Sequence, residues 1–506
     1  MGFSKKAATV SKHVPEQPEQ EVEGFEEKPF VRDNSDNKLF TDIQVKDISG
    51  LITDDCTGVF DFDTTVFQAC SNVETKYIRV TNEETRYSEE FPNITTFWGR
   101  GKKIGESSAL GLLNVDRELD GREPFTKEDF VVENLQKMKY DTEEKTIDQA
   151  KIQIYKAIKK VKEQFGIDNV RPVIGEGDNF RHKLDLCRPY KGERSPMRPL
   201  VLKKVRKWVV EELKAIVATP RKDGEMVEAD DVVEYYGAKG YQHYRKHGKF
   251  NYLVIASDKD AQGNPKLLVN PDTHSGEHNP LKGKFKFPQA MLIEATDVTC
   301  GDLELVAKKS TSEVKGYGFK FIMYQALLGG DGADNYNALS HLGKDLKFGD
   351  QAAYKALKPC KSAKECLQSA IDVFAEKLPY GVQYTTHDGR DLDVDCLTYM
   401  DTYFKVAYML RSEKDTMDLY KLCEVFKVDI SAVVGNNKFS APVRTYIGNQ
   451  QVSEVIEGHI KEIVEVDLKA FKSKSKGDLV ELLERVKGKL ELVDFEPMYE
   501  MQQQEK

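Results

Sequence analysis

The sequence predicts an α/β protein with a mainly parallel central sheet, because short apolar strands alternate with helical patterns along the chain. The predicted strands cover residues 58–63, 170–174 and 252–256, and each is short and largely apolar. Between the first two, residues 148–165 place apolar side chains at helical spacing, with lysines on the opposite side. Largely apolar strands separated by helices are typical of a parallel sheet covered on both faces.

The composition is typical of a soluble globular protein of about two to four domains. Of its 506 residues, 40% are hydrophobic and 31% are charged. The sequence contains neither a run of about 18 apolar residues nor the order of a secretory signal, so we expect no membrane association. Eight cysteines without a C-x-x-C pair indicate reduced thiols and a cytoplasmic protein, in the host cytoplasm if the chain is viral.

The charge is unevenly distributed along the chain. A net charge of −9 argues against a nucleic-acid partner, since phosphate binding leaves a basic footprint. Residues 181–207, however, contain ten Lys and Arg against two acidic residues. With Tyr190 and Trp208 available for base stacking, this basic segment suits a groove that follows a single strand. A solvated helix face is the alternative interpretation.

Each predicted strand ends in a carboxylate residue or is followed by one. Asp61 lies at the end of the first strand, Asp178 follows the second, and Asp258 and Asp260 follow the third. Ligands of an open parallel sheet bind beyond the carboxyl ends of its strands, so we expect these side chains to meet at one edge. Carboxylate oxygens are the ligands that Mg²⁺ prefers. The sequence therefore predicts a divalent-metal site at this edge.

Two further acidic runs have simpler interpretations when each is taken alone. Glu228-Ala229-Asp230-Asp231 opens an apolar helical stretch, where acids cap the helix and interact favourably with its dipole. Residues 330–335, Gly-Asp-Gly-Ala-Asp-Asn, read as a glycine-rich turn. Three acids within four residues nevertheless repel one another unless a cation offsets them, so 228–231 becomes a metal-site candidate once other acids converge on it.

Together these motifs resemble the 5′ nuclease family. That family includes the 5′ nuclease domain of bacterial DNA polymerase I, bacteriophage 5′ to 3′ exonucleases and cellular flap endonucleases, and the phage type is nearest in pattern. The acidic positions that match in family order are Asp61, Asp178, 228–231, 258–260 and 330–335. In addition, Phe180-Arg181 followed by Tyr190-Lys191-Gly192-Glu193-Arg194 resembles the motif at the base of the family's helical arch. The resemblance covers roughly residues 55–345.

The resemblance implies a PIN-like nuclease core with a helical arch and two Mg²⁺ ions about 4 Å apart, for which Mn²⁺ is a substitute. The implied metal ligands are Asp61, Asp178, Glu228 and Asp230 for the first ion, with Asp231 in support, and Asp258, Asp260, Asp331 and Asp334 for the second. Asp63 is nearby but matches the motif less well than Asp61. Lys191 and Arg194 would contact the scissile phosphate. The implied nucleic-acid-binding residues are Arg181, Lys183, Arg188, Tyr190, Arg198, Lys203 and Lys204.

The implied domain organisation has four parts. They are a disordered acidic leader, 1–50; a nuclease core, 51–325, with an insertion at 70–145 and an arch at 179–210; a helical DNA-binding region of degenerate helix-turn-helix type, 326–410; and a helical C-terminal extension, 411–506. Residues 336–349 only loosely fit the Gly-x-Gly-x-Lys hairpin with which the family grips duplex backbone. A K⁺ site at that element is therefore not implied.

The activity implied is that of a structure-specific 5′ nuclease in replication, primer removal or repair. Its substrates would be DNA with a 5′ single-stranded end or flap, or an RNA/DNA hybrid. Two alternatives stay open. A PIN-type ribonuclease shares the acidic sheet edge but usually lacks the arch and the downstream G-D-x-x-D-N motif. A non-catalytic DNA-binding replication scaffold is the other, although the intact acid set, Lys191 and Arg194 speak against it.

Overall fold

The computed structural model describes most of the chain between residues 39 and 438. The described residues are 39–192, 197–221, 224–271, 288–295, 300–307, 312–329, 334, 336–343, 346, 348–415 and 418–438. Arg194 and Asp331, two of the predicted site residues, lie outside them, as do most of the predicted leader and the apolar stripe at 479–490.

The described residues alternate between strands and helices over most of their length. The strands are β1 Ile52–Asp61, β2 Glu74–Asn82, β3 Tyr87–Phe91, β4 Val131–Met138, β5 Asn169–Ile174, β6 Ile216–Val217, β7 Phe250–Ile255, β8 Lys266–Val269, β9 Ala290–Ile293, β10 Asp302–Ala307, β11 Ser312–Tyr317, β12 Val382–Thr385 and β13 Asp391–Val394. The helices are α1 Asp63–Asn72, α2 Ile94–Trp98, α3 Ala109–Leu119, α4 Glu143–Phe165, α5 Leu202–Glu211, α6 Ala229–His247, α7 Gly318–Leu328, α8 Asp350–Leu357, α9 Ala363–Lys377, α10 Cys396–Ala407 and α11 Leu419–Phe426.

A six-stranded sheet forms the centre of the fold, in the order β6-β5-β1-β7-β8-β9. The first five strands are parallel to one another, and the edge strand β9 is antiparallel to β8. The prediction of a mixed α/β fold with a mainly parallel sheet is confirmed. The three strands predicted from the sequence correspond to β1, β5 and β7, which are adjacent, with β1 in the middle.

Helices cover both faces of this sheet, so successive residues of a strand enter different cores. Val59 of β1 packs with α6 and the C-terminal helices, whereas Phe60 packs with α1, α4 and α5. Leu253 and Val254 of β7 alternate in the same way. This two-residue period is the reason that the central strands are apolar throughout.

The predicted insertion contains its own antiparallel sheet, with strand order β3-β2-β4. Helices α2 and α3 cover it and complete a small separate core around Phe97, Val80 and Leu110, all of which are buried. The insertion therefore packs as a unit rather than as an extended loop.

The segment just before β1 is part of the fold, although the sequence places it in the disordered leader. Leu39 and Phe40 are buried, and the Val45 backbone N–H donates to the Ala290 carbonyl at 3.0 Å. The prediction of a leader over residues 1–50 is thus wrong for residues 39–50. Two adjacent apolar residues in a polar stretch were too short a pattern to indicate that they complete a core.

The described part of the C-terminal region, from residue 318 to residue 438, is mainly helical and also contains a β-hairpin. Helices α7 to α11 surround a core that includes Tyr399, Tyr403 and Phe404, and β12 pairs with β13. Among the described helices, none combines the length and apolar character needed to cross a membrane.

The helical arch predicted for residues 179–210 is not seen in the described part of that segment. Its helix is α5, which buries Leu202, Val205 and Val209 in the core shared with α1 and α4. An apolar stripe of this kind stabilises a helix by packing, so α5 lies against the sheet layer instead of standing free.

Candidate metal centre

The sheet brings the carboxyl ends of three acidic strands to one edge. Asp61, the last residue of β1, is paired with Val173 of β5, and its neighbour Phe60 is paired with Ile255 of β7. The loops that leave β5 and β7 therefore begin beside Asp61. They carry Asp178 after β5 and Asp258 and Asp260 after β7.

Helix α6 begins at the same edge. Its first turn is closed by a capping box, in which the Glu228 backbone N–H donates to the Asp231 carboxylate at 3.1 Å. The helix lies very close to β7, because a Cβ on Gly240 would be only 2.2 Å from the Tyr252 carbonyl oxygen. This approach sets the acidic first turn of α6 against the ends of β1 and β7.

Carboxylates from three elements act on one another at this edge. Burial, together with the charges of Asp63 and Asp258, raises the pKa of Asp61 to about 7. Burial also raises the pKa of Asp230, with added contributions from Asp61, Glu228 and Asp258. Carboxylates that lie this close together oppose one another's ionisation. The raised pKa values therefore indicate that nearby cations do not fully balance the negative charge of the cluster.

A second acidic group lies beside the first. Burial, together with the charges of Asp258 and Asp334, raises the pKa of Asp260 to about 7. The Gln325 side-chain amide, from α7, donates to the Asp260 carboxylate. Asp334 is buried. Because its charge and that of Asp258 both act on Asp260, the three carboxylates lie in one neighbourhood.

Glu228 differs from these acids because it is surrounded by donors. Lys191 Nζ lies 2.5 Å from its Oε1, the Tyr190 hydroxyl donates at 3.2 Å and the Asn179 amide donates at 3.0 Å. Burial alone would raise the pKa of Glu228, but Arg181 and Lys191 outweigh burial and hold it below its ordinary value. Glu228 is therefore an ionised carboxylate at the rim of the acidic cluster.

Arg181 does not face solvent, so its assignment as a nucleic-acid-binding residue is wrong. Its side chain is fully buried and forms two bonds with the Asp231 carboxylate, at 2.7 and 2.9 Å, and one with Glu228 at 3.2 Å. The remaining donors reach the carbonyl oxygens of Val406 and Tyr408. A guanidinium that is fully engaged inside the protein cannot contact a phosphate.

Asp231 is likewise unavailable as a metal ligand. Each of its oxygens accepts one bond from Arg181, and they also accept from the backbone N–H groups of Glu228 and Leu410, at 3.1 and 3.0 Å. Its lone pairs are committed, and the side chain is fully buried. Asp231 supports the site only through Arg181, and its assignment to the metal is corrected.

Tyr190 is also buried, with 5% of its surface exposed, so it cannot stack on a nucleic-acid base. Its ring packs against His182 and Tyr336.

In contrast, Asp178 is exposed beyond β5. The other basic residues predicted to bind nucleic acid are all exposed, namely Lys183, Arg188, Arg198, Lys203 and Lys204.

Two basic residues of the site were not singled out from the sequence. Arg206 donates from α5 to Asp63 and to the Gly175 carbonyl, joining the starts of the loops after β1 and β5. It is partly buried beside the apolar stripe of α5, four residues after Leu202, and that spacing was the available signal. Lys266, in the otherwise apolar strand β8, is fully buried and bonds to Glu234 of α6.

Across the described residues, no three His, Cys, Asp or Glu side chains are drawn together tightly enough to enclose a metal ion by themselves. The described carboxylates lie near one another at this edge of the sheet, but they do not surround a common centre. Their chemistry nevertheless fits a hard divalent cation, because the donors are oxygens and the raised pKa values of Asp61 and Asp260 reflect charge that is not balanced.

Replacing Arg181 by Met should lower the free energy of unfolding by about 3–5 kcal/mol, because the carboxylates of Asp231 and Glu228 would stay buried without their partner. Urea denaturation measures this loss. Lys183→Met is the matched control, since its surface ion pair with Glu225 should contribute less than about 1 kcal/mol. Equal stabilities of the two variants would contradict a central role for Arg181.

The raised pKa of Asp61 should make the metal-free protein less stable as pH rises. Its value of about 7 in the folded state exceeds the ordinary 3.8, so the folded state binds more protons between these values and loses stability from about pH 4 to 7. Asp61→Asn should therefore gain thermal stability relative to the wild type as pH goes from 5 to 8 in EDTA. Asp178→Asn removes an exposed charge from the same edge and is the control. If the difference in thermal stability between Asp61→Asn and the wild type did not change with pH, the electrostatic description would be refuted.

Comparison with protein-family models finds none that matches this sequence, and comparison with curated proteins finds no similar sequence.

Proposed function

We propose that this chain is a divalent-metal-dependent 5′ nuclease with a PIN-like core, acting on DNA that has a 5′ single-stranded end or flap, or on an RNA/DNA hybrid. One observation carries the proposal. Asp61 from β1, Asp230 from α6 and Asp258 after β7 act on one another at one sheet edge, while Lys191 acts on both Asp61 and Asp230. Incompletely balanced carboxylates beside the Lys191 ammonium suit cation-assisted chemistry on a phosphate.

The acidic residues divide into two ligand groups in this proposal. Asp61, Asp178, Glu228 and Asp230 would hold one Mg²⁺, and Asp258, Asp260, Asp331 and Asp334 a second, with Mn²⁺ as a substitute. Bound Mg²⁺ would supply the Lewis acidity that activates water and stabilises the leaving oxygen in an in-line displacement.

Lys191 is held so that its charge stays at the edge. Its backbone has a positive φ of 55°, and its N–H donates to the Asp334 carbonyl at 2.9 Å. The side chain is 17% exposed, so a phosphate oxygen has access to the ammonium. In the proposed reaction Lys191 orients the scissile phosphate and offsets charge that develops in the transition state, together with Arg194.

The exposed basic residues supply the binding surface in this proposal. Arg188 and Arg198 lie between β5 and α5, Lys203 and Lys204 lie in the first turn of α5, and all four side chains are exposed. Charges placed this way would bind the phosphates of the 5′ strand without reading its sequence.

A PIN-type ribonuclease is the second candidate, favoured by one specific observation. Helix α5 packs against α1 and α4, so the described part of residues 179–210 does not form a free-standing arch. An enzyme without an arch would cut single-stranded RNA as readily as a 5′ flap.

Cleavage should require Mg²⁺ and stop in EDTA when the chain is given a 5′-labelled flap, a nicked duplex, an RNA/DNA hybrid and a single-stranded RNA. Asp230→Asn should abolish cleavage yet keep substrate binding in Ca²⁺, because the amide keeps the shape and removes the charge. Asp116→Asn, which changes an exposed side chain on α3 of the insertion, is the control and should cleave at the wild-type rate. If Asp230→Asn cleaved at the wild-type rate, the assignment of Asp230 as a metal ligand would be wrong. If the single-stranded RNA were the one substrate cleaved, the PIN-type ribonuclease would be the better proposal.

Lys191→Ala should lower the single-turnover rate by roughly a hundredfold or more, since a positioned charge in a transition-state clamp contributes about 3 kcal/mol. Affinity should change far less, because other basic residues supply most phosphate contacts. Lys203→Ala is the matched control: it should lower the slope of log K against log salt by about 1 and leave the saturated rate unchanged. An unchanged rate in Lys191→Ala would remove it from the catalytic residues.

A further inference from the structure

A pair of aromatic rings lies outside the buried apolar stripes of α4 and α5. Tyr155 of α4 and Trp208 of α5 meet edge to face, with their ring centroids 5.3 Å apart. Tyr155 is 53% exposed, whereas Ile154 and Val161, which belong to the stripe of α4, are buried. The tyrosine ring therefore contributes little to the core, and much of its surface is open to a partner.

Basic side chains accompany this pair. The Lys151 ammonium lies over the Trp208 ring, 5.6 Å from its centroid, and also pairs with the Asp148 carboxylate at 3.3 Å. One turn before Trp208 on α5, Lys204 bonds to Glu143 at the start of α4. Helices α4 and α5 together contain ten Lys and Arg residues against five Asp and Glu, in a chain with a net charge of −9. This local basic excess complements an anionic partner.

Helix α5 connects the aromatic pair to the acidic edge. Arg206 donates from this helix to Asp63, two residues after the end of β1. Lys203 and Lys204, in the first turn of α5, belong to the exposed basic surface proposed to bind phosphates. Because Trp208 follows Lys204 by four residues, a strand bound to these lysines would reach the aromatic pair within about 6 Å along the helix axis.

We propose that Tyr155 and Trp208 form a stacking platform for a base of a single-stranded nucleic acid whose phosphates are held by the neighbouring lysines. An aromatic ring stacks on any base because every base has a π-face, and lysines bind phosphates regardless of sequence. The inference rests on the proposed function in taking nucleic acid as the ligand, but it assigns a contact outside the acidic edge. An anionic lipid surface would require a broader apolar face than the exposed Tyr155 and Ile152 provide.

The fluorescence of Trp208 tests whether a base stacks on it. The full-length chain contains two tryptophans, so Trp98→Phe leaves Trp208 as the fluorophore. In EDTA, where the proposed cleavage is absent, a dT oligonucleotide of about 12 nucleotides should quench this fluorescence. An abasic oligonucleotide of the same length carries the same phosphates and should quench it far less. Equal quenching by the two oligonucleotides would overturn the stacking platform.

Variants of Tyr155 in the full-length chain separate stacking from phosphate binding. Tyr155→Ala should weaken binding of the dT oligonucleotide by about fivefold or more and leave affinity for the abasic oligonucleotide unchanged. Tyr155→Phe keeps the ring and should bind as the wild type. Tyr380→Ala, which removes a tyrosine that is 43% exposed before β12, is the matched control. If Tyr155→Ala kept its affinity for both oligonucleotides, or lost affinity for both equally, the stacking role would be wrong.

Two comparisons identify the partner and separate this inference from the proposed nuclease. The wild type should not bind vesicles of phosphatidylserine and phosphatidylcholine in a way that depends on Tyr155; such binding without base-dependent binding of the oligonucleotide would make the surface a lipid contact and overturn the platform. Cleavage that requires Mg²⁺ without base-dependent binding would also overturn the platform, but it would leave the nuclease in place. Base-dependent binding in a chain that cleaves none of the substrates would support the platform and contradict the nuclease.

Discussion

The buried guanidinium of Arg181 is the constraint on which the acidic edge depends. A charge taken out of water must be paired and hydrogen-bonded, or it destabilises the fold by several kcal/mol. Arg181 meets this requirement with Asp231 and Glu228 at the start of α6 and with the carbonyls of Val406 and Tyr408 at the C-terminal end of α10. One side chain therefore fixes the loop after β5, the first turn of α6 and the C-terminal helices relative to one another.

A second buried pair fixes the same helix one turn further along. Lys266 bonds to Glu234 of α6 and to the Ala261 carbonyl, which belongs to the turn that carries Asp258 and Asp260. With both ends of the edge held in this way, its carboxylates have little freedom to move apart. The raised pKa values of Asp61 and Asp260 follow from this rigidity, because the fold imposes burial and like-charge proximity that the side chains would otherwise avoid.

The strands and acids of the edge could be predicted because their signals are local. An apolar run that ends in carboxylates locates β5 and β7 within a few residues, and it locates the second half of β1, whose polar first half, residues 52–57, was not predicted. The role of Arg181 could not be predicted, since a guanidinium recognises a carboxylate and a phosphate with the same bidentate geometry. The choice between them depends on Asp231 and Val406, which lie 50 and 225 residues away in sequence. The described part of residues 179–210 does not form the predicted arch for a similar reason, because the apolar stripe of α5 acquires its partners only when α1 and α4 pack beside it.

The Lys and Arg side chains of the basic segment thus differ in how readily a phosphate could bind them. Surface ion pairs such as Lys183 with Glu225 contribute at most about 1 kcal/mol, so a phosphate could replace the carboxylate at small cost. The pair between Lys191 and Glu228 is largely shielded from solvent, and separating it would leave an ionised carboxylate without its nearest cation. A metal ion that bound Glu228 would supply the missing positive charge at the same oxygen. Within the proposed function, release of Lys191 toward a phosphate and loading of the metal site would therefore favour each other.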